Sequence, residues 1–288
     1  MRTNLMASAC VAIVALGLPA LTTVSPTPAR AEEPAPRQGT AGDPAASGAT
    51  DSDWRFTIGA GAFYGPDYTG SDEYEAMPFP FVKVEKDALY IQTDGPGLKA
   101  NVLPHGLFEF GPIARYGEGR SDVEDAVIDR LPEIDDALWL GLFVGYTHKG
   151  VFGDRDSLGV EIEAMWAATD DNGATATLGA TYGVRATRDL SLSFGPSLTY
   201  ASSDYADTYF SVDAGGSAAS GLSQFSAESG LRDVALTVSA RYTITPQIGL
   251  GGFAGVSRLI GDFADSPIVD ERGSATQAFG GLFLTYTF

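Results

Sequence analysis

The sequence has no cysteine except at position 10 and only two histidines, His105 and His148. Beyond residue 10, the chain therefore can form no disulfide, thiolate metal site or cysteine nucleophile. Basic residues are also scarce: 18 Lys and Arg stand against 37 Asp and Glu, which gives a formal net charge of −19. This balance argues against a basic nucleic-acid surface, so we expect no nucleic-acid partner.

Long apolar runs are missing after the start of the chain. No stretch of about 18 apolar residues occurs after residue 31, so no helix is expected to span a bilayer. The early apolar stretch, Met6 to about Leu21, follows Met1-Arg2 and leads to Ala29-Arg30-Ala31. A basic start, a short apolar centre and a small-x-small site predict a secretory signal peptide over residues 1–31. The alternative, a membrane anchor, is disfavoured because a spanning helix needs about 20 apolar residues.

Residues 32–52, with the sequence EEPAPRQGTAGDPAASGATDS, contain no large apolar side chain. Such a segment cannot bury enough surface to offset the entropy lost on ordering. We therefore predict a disordered periplasmic leader over 32–52, followed by one folded domain over 53–288.

From Trp54 onward, apolar residues recur at every second position. In the segment 54–64 the even positions are apolar or aromatic, whereas most odd positions are small or polar. The same alternation returns in 158–168, 190–200, 234–242 and at the end of the chain. Side chains alternate across a β-strand, so each segment predicts a strand with one apolar and one polar face.

Two all-β architectures produce this alternation, a soluble sandwich and a membrane barrel. Three features favour the barrel. Most segments reach the length of about 10 residues that a tilted strand needs to cross a bilayer. Aromatic residues such as Trp54, Tyr64 and Trp166 stand at strand ends on the apolar face, as in interfacial girdles. The polar face carries mostly Gly, Ser and Thr, whereas a soluble surface carries many more charges.

The fold predicted is an all-β transmembrane antiparallel barrel in the outer membrane. Twelve strands fit the pattern, and ten or fourteen remain alternatives because the region 88–103 contains only short segments interrupted by Gly95-Pro96-Gly97. Short connections are expected in the periplasm and long ones outside. The predicted strands are 54–64, 77–84, 88–93, 98–103, 107–116, 137–149, 157–168, 174–185, 190–200, 232–244, 248–258 and 276–288.

Eight charged residues within these strands lie at odd-numbered positions, on the polar face. A charge on the lipid face costs roughly 2–4 kcal/mol at the bilayer midplane, so this parity predicts that the charges face the lumen. They could line a channel or form an internal ion-pair network, and the sequence leaves both open. The predicted lumen-facing charges are Arg55, Glu109, Arg115, Lys149, Glu161, Glu163, Arg185 and Arg241.

Three stretches resemble the MipA/OmpV family of outer-membrane proteins, the MltA-interacting protein family. The segment Gly59–Val82 contains Pro66, Asp67, Tyr68, Gly70, Ser71 and Asp72; Leu192–Val212 follows; and Arg258–Phe288 contains Ser266 and Pro267. The resemblance implies an outer-membrane barrel. It also implies, for some members, a scaffold that links a lytic transglycosylase to a murein synthase, whereas other members resemble solute channels.

No pattern predicts catalysis, a cofactor or a metal. No G-x-S-x-G surrounds a serine, both histidines lie near predicted periplasmic turns, and the acidic segment 117–136 lacks calcium-loop spacing and is expected to be a solvated loop. We therefore predict a non-enzymatic scaffold for murein-remodelling enzymes, with a passive porin-like channel for small solutes as the alternative. Expected partners also include outer-membrane lipid and the barrel-assembly machinery. Leu284, Tyr286 and Phe288 are predicted to form the assembly signal that this machinery recognises.

Overall fold

The computed structural model describes residues 54–104, 107–117, 119–121, 123–169 and 172–288. The predicted signal peptide, the predicted leader and His105 lie outside these residues. The segments in which apolar and polar residues alternate form β-strands throughout the described chain. The strands are β1 (Arg55–Pro66), β2 (Tyr74–Lys86), β3 (Leu89–Thr93), β4 (Gly97–Asn101), β5 (Phe108–Gly117), β6 (Ala137–Lys149), β7 (Asp156–Ala167), β8 (Ala174–Arg185), β9 (Leu190–Ala201), β10 (Gly230–Thr243), β11 (Ile248–Leu259) and β12 (Thr276–Thr287).

These strands form one closed antiparallel barrel in sequence order. The last strand closes it, because β12 pairs with β1 from Thr57↔Thr287 to Tyr64↔Gly280. The predicted barrel and the count of twelve strands are confirmed. The largest difference in a boundary is at β2, which begins at Tyr74 rather than at residue 77 because its outer part pairs with β1 as far as Pro66.

The outer surface of the barrel is apolar. Exposed side chains such as Ile58, Leu142 and Val160 alternate along the strands with residues that face the lumen. An exposed apolar band that encircles a closed barrel is the surface that lipid covers. Among the described residues, no helix is long and apolar enough to cross a membrane.

The long connections contain short helices. We name them L1 (67–73), L2 (118–136), L3 (202–229) and L4 (260–275). L2 contains a 3₁₀ turn, Ile128–Arg130. L3 contains α1 (Ser203–Phe210) and α2 (Ala214–Ser220), and L4 contains α3 (Asp262–Asp265) and α4 (Pro267–Asp270). The side chains of Ser202 and Asp213 cap α1 and α2 by accepting hydrogen bonds from backbone N–H groups.

Loop L2 is more ordered than expected. Most of its described carboxylates are exposed, as a solvated loop requires, but Val123, Ile128 and Leu131 are buried. These apolar residues pack against the other long loops. By the usual orientation of such barrels, the long loops mark the outer end and the short turns mark the periplasmic end.

Candidate functional site

The outer end of the lumen is filled by an apolar cluster. Helix α1 of L3 places Tyr205 against the indole of Trp139 on β6, with 6.0 Å between ring centroids. Phe210, at the end of α1, packs edge-on against Phe263 of α3 at 5.1 Å. The same cluster contains Phe143, which lies deeper on the lumen face of β6. The loops bury these side chains against the barrel wall and so close the outer mouth with a small hydrophobic core. We call this cluster of loops the seal.

Residues of the first and third family-like stretches, Gly59–Val82 and Arg258–Phe288, meet at this mouth. The carbonyl of Gly70 in L1 accepts a hydrogen bond from the backbone of Ser274 in L4, at 2.8 Å. Gln277 donates its side-chain amide to the carbonyls of Tyr68 (3.3 Å) and Ser71 (3.0 Å). Gly70 has φ +102°, and a Cβ there would lie 2.6 Å from Val269, so this contact requires glycine.

The remaining motif residues support the same contact. Pro66 ends β1 opposite Tyr74, and the N–H of Asp67 donates to the carbonyl of Glu73 at 2.9 Å. Asp72 is exposed at the tip of L1. Ser266 donates its hydroxyl to the carbonyl of Phe210 at 2.6 Å, and Pro267 is buried at the start of α4. The motifs of L1 and L4 therefore build the seal.

Loop L2 joins the seal through a second apolar cluster. Tyr68 of L1, Ile128 of L2 and Ile268 of L4 are buried together. Across it, Arg272 donates to the carboxylate of Asp125 at 2.9 Å. Burial alone would raise the pKa of Asp125, but the hydrogen bonds from Arg272 and from backbone N–H groups lower it overall.

The surroundings of Asp67 disfavour the charged form of its carboxyl group. Burial, and then the nearby charges of Glu75, Glu73 and Glu124, raise its pKa to about 6. Its Oδ2 atom is buried and has no hydrogen-bond partner among the described residues. The carboxyl group is thus more easily protonated in the folded loop than in a solvated chain.

Below the seal, an ion-pair network joins β4, β5 and β7 on one side of the lumen. Glu163 of β7 accepts hydrogen bonds from Lys99 of β4 (3.1 Å) and from Arg115 of β5 (2.9 Å). Lys99 also donates to Glu161 at 2.5 Å, and Arg115 donates to Asp94 in the β3–β4 turn at 3.0 Å. The side chains of Lys99 and Glu163 are 0% and 3% exposed, so this network is a dry brace rather than a solvated lining.

The network brings together three of the eight predicted lumen charges, Arg115, Glu161 and Glu163. Its other members, Lys99 and Asp94, were missed. Lys99 lies on the short strand β4, and its odd-numbered position would have identified it by the parity rule used for the others. Asp94 lies outside the strands, in a turn for which parity gives no orientation.

The other five predicted charges lie apart from this network. Glu109 accepts a hydrogen bond from the hydroxyl of Tyr90 at 2.9 Å. Arg55 pairs with Glu85 at 3.1 Å near the periplasmic end. Lys149 is exposed at the end of β6, and Arg185 and Arg241 are half-buried on β8 and β10.

A small cavity adjoins the network on the β7–β9 side. Its lining combines two carboxylates with hydroxyl groups and backbone, and includes Glu161, Glu163, Thr177, Thr181 and Ser197. Among the described residues, no three His, Asp or Glu side chains are grouped as a metal site would require.

The opposite wall of the lumen carries an aromatic patch that the sequence analysis missed. We call the half-buried rings of Phe63, Phe79 and Phe253 the Phe patch; Phe63 and Phe79 lie 6.1 and 6.2 Å from Phe253. Buried Phe283 lies 5.8 Å from Phe79 and flat over Gly251, where a Cβ would approach its ring to 2.3 Å. The signal was present, since all these phenylalanines have the lumen parity.

The periplasmic end carries exposed cations. Lys149, Arg155 and Arg188 lie at or beside the β6–β7 and β8–β9 turns, and none of them has an ion-pair partner among the described residues. The two turns are neighbours, because the N–H of Arg185 donates to the carbonyl of Arg155 at 2.9 Å. We call these three residues the basic rim.

The proposed assembly signal lies at the same end. Leu284 and Tyr286 point outward from β12, and the ring of Phe288 packs edge-on against Tyr286 at 4.9 Å. The N–H of Phe288 donates to the carbonyl of Phe56 at 2.9 Å, which completes the closure of the barrel.

The chain matches the family described as MltA-interacting protein MipA over residues 58–288. It is 27% identical to the putative outer membrane protein YiaT of Escherichia coli O157:H7, covering 78% of this chain and 88% of that protein, and the protein of strain K12 gives the same values. Among solved structures, it is similar to an outer membrane channel from Pseudomonas putida F1 (TM-score 0.45, 13% identity, 86% of this chain and 100% of that chain). A second is the NanC porin (TM-score 0.42, 10% identity, 80% of this chain and 98% of that chain).

The family match spans most of the chain, and both curated relatives carry the name of an outer membrane protein. The closed barrel with its apolar outer band agrees with that location. The chain therefore belongs to the MipA family and is a β-barrel protein of the outer membrane.

Proposed function

We propose that this protein is a non-enzymatic scaffold that holds a lytic transglycosylase at the periplasmic face of the outer membrane. The observation that carries the proposal is the seal: loops L1 to L4 bury apolar clusters in the outer mouth, and a buried ion-pair brace lies on one side of the lumen below them. A barrel closed in this way is better suited to holding a partner than to conducting a solute, and its periplasmic turns are the surface that faces the murein. The family description, MltA-interacting protein, supports the same role.

The basic rim is the contact surface that we propose for the enzyme. Lys149, Arg155 and Arg188 are exposed cations on neighbouring periplasmic turns. Unpaired surface charges steer a partner of opposite charge and contribute mainly to the rate and specificity of association. The partner is then a transglycosylase with an acidic face, and a murein synthase can join the same complex through the enzyme.

The test is affinity purification from detergent-solubilised envelopes with the transglycosylase as bait. We expect the native chain to co-purify at its natural abundance and the variant Lys149→Gln/Arg155→Gln/Arg188→Gln to be depleted. Arg130→Gln, which removes an exposed cation at the outer end, is the matched control and should co-purify like the native chain. Absence of the native chain from the eluate contradicts the scaffold.

The cavity beside Glu161 favours a second candidate, a passive channel for small solutes. Its carboxylate and hydroxyl groups are suited to contact with a small hydrophilic molecule. In this case the loops of the seal must open. Planar-bilayer recordings separate the candidates, since a channel gives stepwise conductance and a sealed scaffold gives none.

A further inference from the structure

The wall of the barrel contains a long strand edge, on β2, that has no partner strand among the described residues. Strand β2 pairs with β1 along its length, from Tyr74 to Glu85, but with β3 only from Lys83 to Lys86. The cause is the short β3–β4 hairpin, which turns back at Asp94. The outer part of β2, Tyr74 to Phe81, has no strand partner on that side among the described residues, over about 26 Å at roughly 3.3 Å per residue.

The backbone of β2 shows which residues face this free edge. The N–H of Val82 donates to the Thr93 hydroxyl at 2.9 Å, and that hydroxyl donates back to the Val82 carbonyl at 3.4 Å. Even-numbered residues of β2 therefore direct their N–H and C=O groups toward the β3 side. Pro78 and Pro80 belong to this set and have no N–H to offer. Proline on a strand edge opposes pairing with another strand, so the sequence keeps this edge unpaired.

The unpaired edge of β2 borders a gap in the barrel wall. The β3–β4 turn lies on its periplasmic side, where the Asp94 carboxylate is held by Arg115. Loop L2 closes its outer side, because it leaves β5 and packs against Tyr68 of L1 at the far end of β1. We call this gap, bounded by β2, the β3–β4 turn, β5 and L2, the window.

The Phe patch begins on β2, the strand that borders the window. Phe79 stands between Pro78 and Pro80 and faces the lumen, where it meets Phe253 and Phe283 at 6.2 and 5.8 Å. The patch extends from β2 across β1 and β12 to β11. A half-buried apolar surface inside a barrel is unusual, since barrel lumens are polar. Its position beside an interruption in the wall connects it to the membrane rather than to the aqueous mouth.

We propose that the window admits the acyl chain of an outer-leaflet lipid, which packs against the Phe patch inside the barrel. The protein lies in the outer membrane, so the molecule nearest to the gap is lipid. The outward carbonyls of Ala76, Pro78 and Pro80 accept no hydrogen bond from the described residues. A lipid whose chain bears a hydroxyl or amide N–H near its head supplies both the apolar body and the donors. The window does not depend on the scaffold role.

Site-specific quenching of bimane fluorescence tests whether lipid acyl chains enter the window. With Cys10 replaced by Ala, a single cysteine is introduced as Phe79→Cys, labelled with bimane, and the barrel is refolded into phosphatidylcholine vesicles with brominated acyl chains. Ser197→Cys, which faces the lumen and pairs with Gly179 on one side and Ala235 on the other, is the negative control, and Val238→Cys on the lipid face is the positive control. We expect quenching at position 79 within about a factor of two of that at 238, and little at 197.

A second position guards against a folding defect in the first variant. Phe63→Cys labels the other half-buried ring of the patch on the neighbouring strand, and should be quenched by brominated chains less than position 79 but more than position 197. If neither position 79 nor position 63 is quenched by brominated chains, the window is not open to lipid. Quenching of both by aqueous iodide alone would show a water-filled gap and would equally overturn the proposal.

Discussion

At the scale of single residues, Glu163 is the centre of the brace. It accepts hydrogen bonds from Lys99 and Arg115, and both cations are almost fully buried. Without the carboxylate of Glu163, the buried Lys99 and Arg115 each lose one ion-pair partner. Breaking a buried pair costs about 3–5 kcal/mol, and the remaining bonds to Glu161 and Asp94 reduce this.

We therefore expect Glu163→Gln to lower the free energy of unfolding by about 2–4 kcal/mol, measured by urea denaturation of the refolded barrel. Arg55→Gln is the control, since Arg55 is 52% exposed and pairs with Glu85 at the rim. An exposed pair contributes less than about 1 kcal/mol. Equal effects of the two variants would show that the brace is solvated.

Asp67 makes the stability of the seal depend on pH. Burial and neighbouring carboxylates raise its pKa to about 6. The folded chain therefore holds this proton more tightly than the unfolded chain, whose aspartates titrate near 4. The stability from protonated Asp67 is complete below about pH 4 and is lost as the pH rises through about 6.

Asp67→Asn keeps the shape of the side chain and removes the titration. Relative to the native chain, we expect this variant to gain stability as the pH rises from 4 to 7, with most of the change complete just above 6, by urea denaturation at each pH. Asp129→Asn, which removes an exposed carboxylate of L2, is the control. A difference between native and Asp67→Asn that stays constant with pH contradicts the raised pKa.

At the scale of elements, the strands were predictable and the helices were not. Alternation identified β6 as residues 137–149, and the structure gives Ala137–Lys149. It works because one face meets lipid and the other the lumen along every strand. Helix α2, Ala214–Ser220, is short and made only of Ala, Gly and Ser, so it has no apolar stripe to detect. It forms because the loops pack together.

The unpaired edge of β2 gives a prediction about proline. Pro80 faces a side where the described part of the chain provides no partner strand, so Pro80→Val should change the free energy of unfolding by less than about 1 kcal/mol. In β6, which pairs on both sides, Val144→Pro removes a ladder hydrogen bond and should cost about 3 kcal/mol or more. Urea denaturation of both variants compares the two positions, and a large loss in Pro80→Val would mean that the edge is structurally paired.

At the scale of the whole molecule, the sequence predicted the barrel better than the contacts between side chains inside it. Membership of the lumen face follows from parity, which placed Arg115 and Glu163 on that face. Which charges meet depends on how the curvature of the wall brings β4 toward β7, with two strands between them, and the local sequence pattern does not give that distance. The seal was missed for the same reason, since L1 and L4 are separated by most of the chain and meet only when β12 closes against β1.

The central claim is that the lumen is sealed in the resting protein, and single-channel recording in a planar bilayer tests it most directly. The native barrel should insert without stepwise conductance, whereas Phe210→Ala/Phe263→Ala, which removes the two rings that join α1 to α3, should open intermittently. Folding of both is checked by their resistance to denaturation in detergent. Steady porin-like conductance steps from the native barrel would contradict the sealed lumen and would favour the channel over the scaffold.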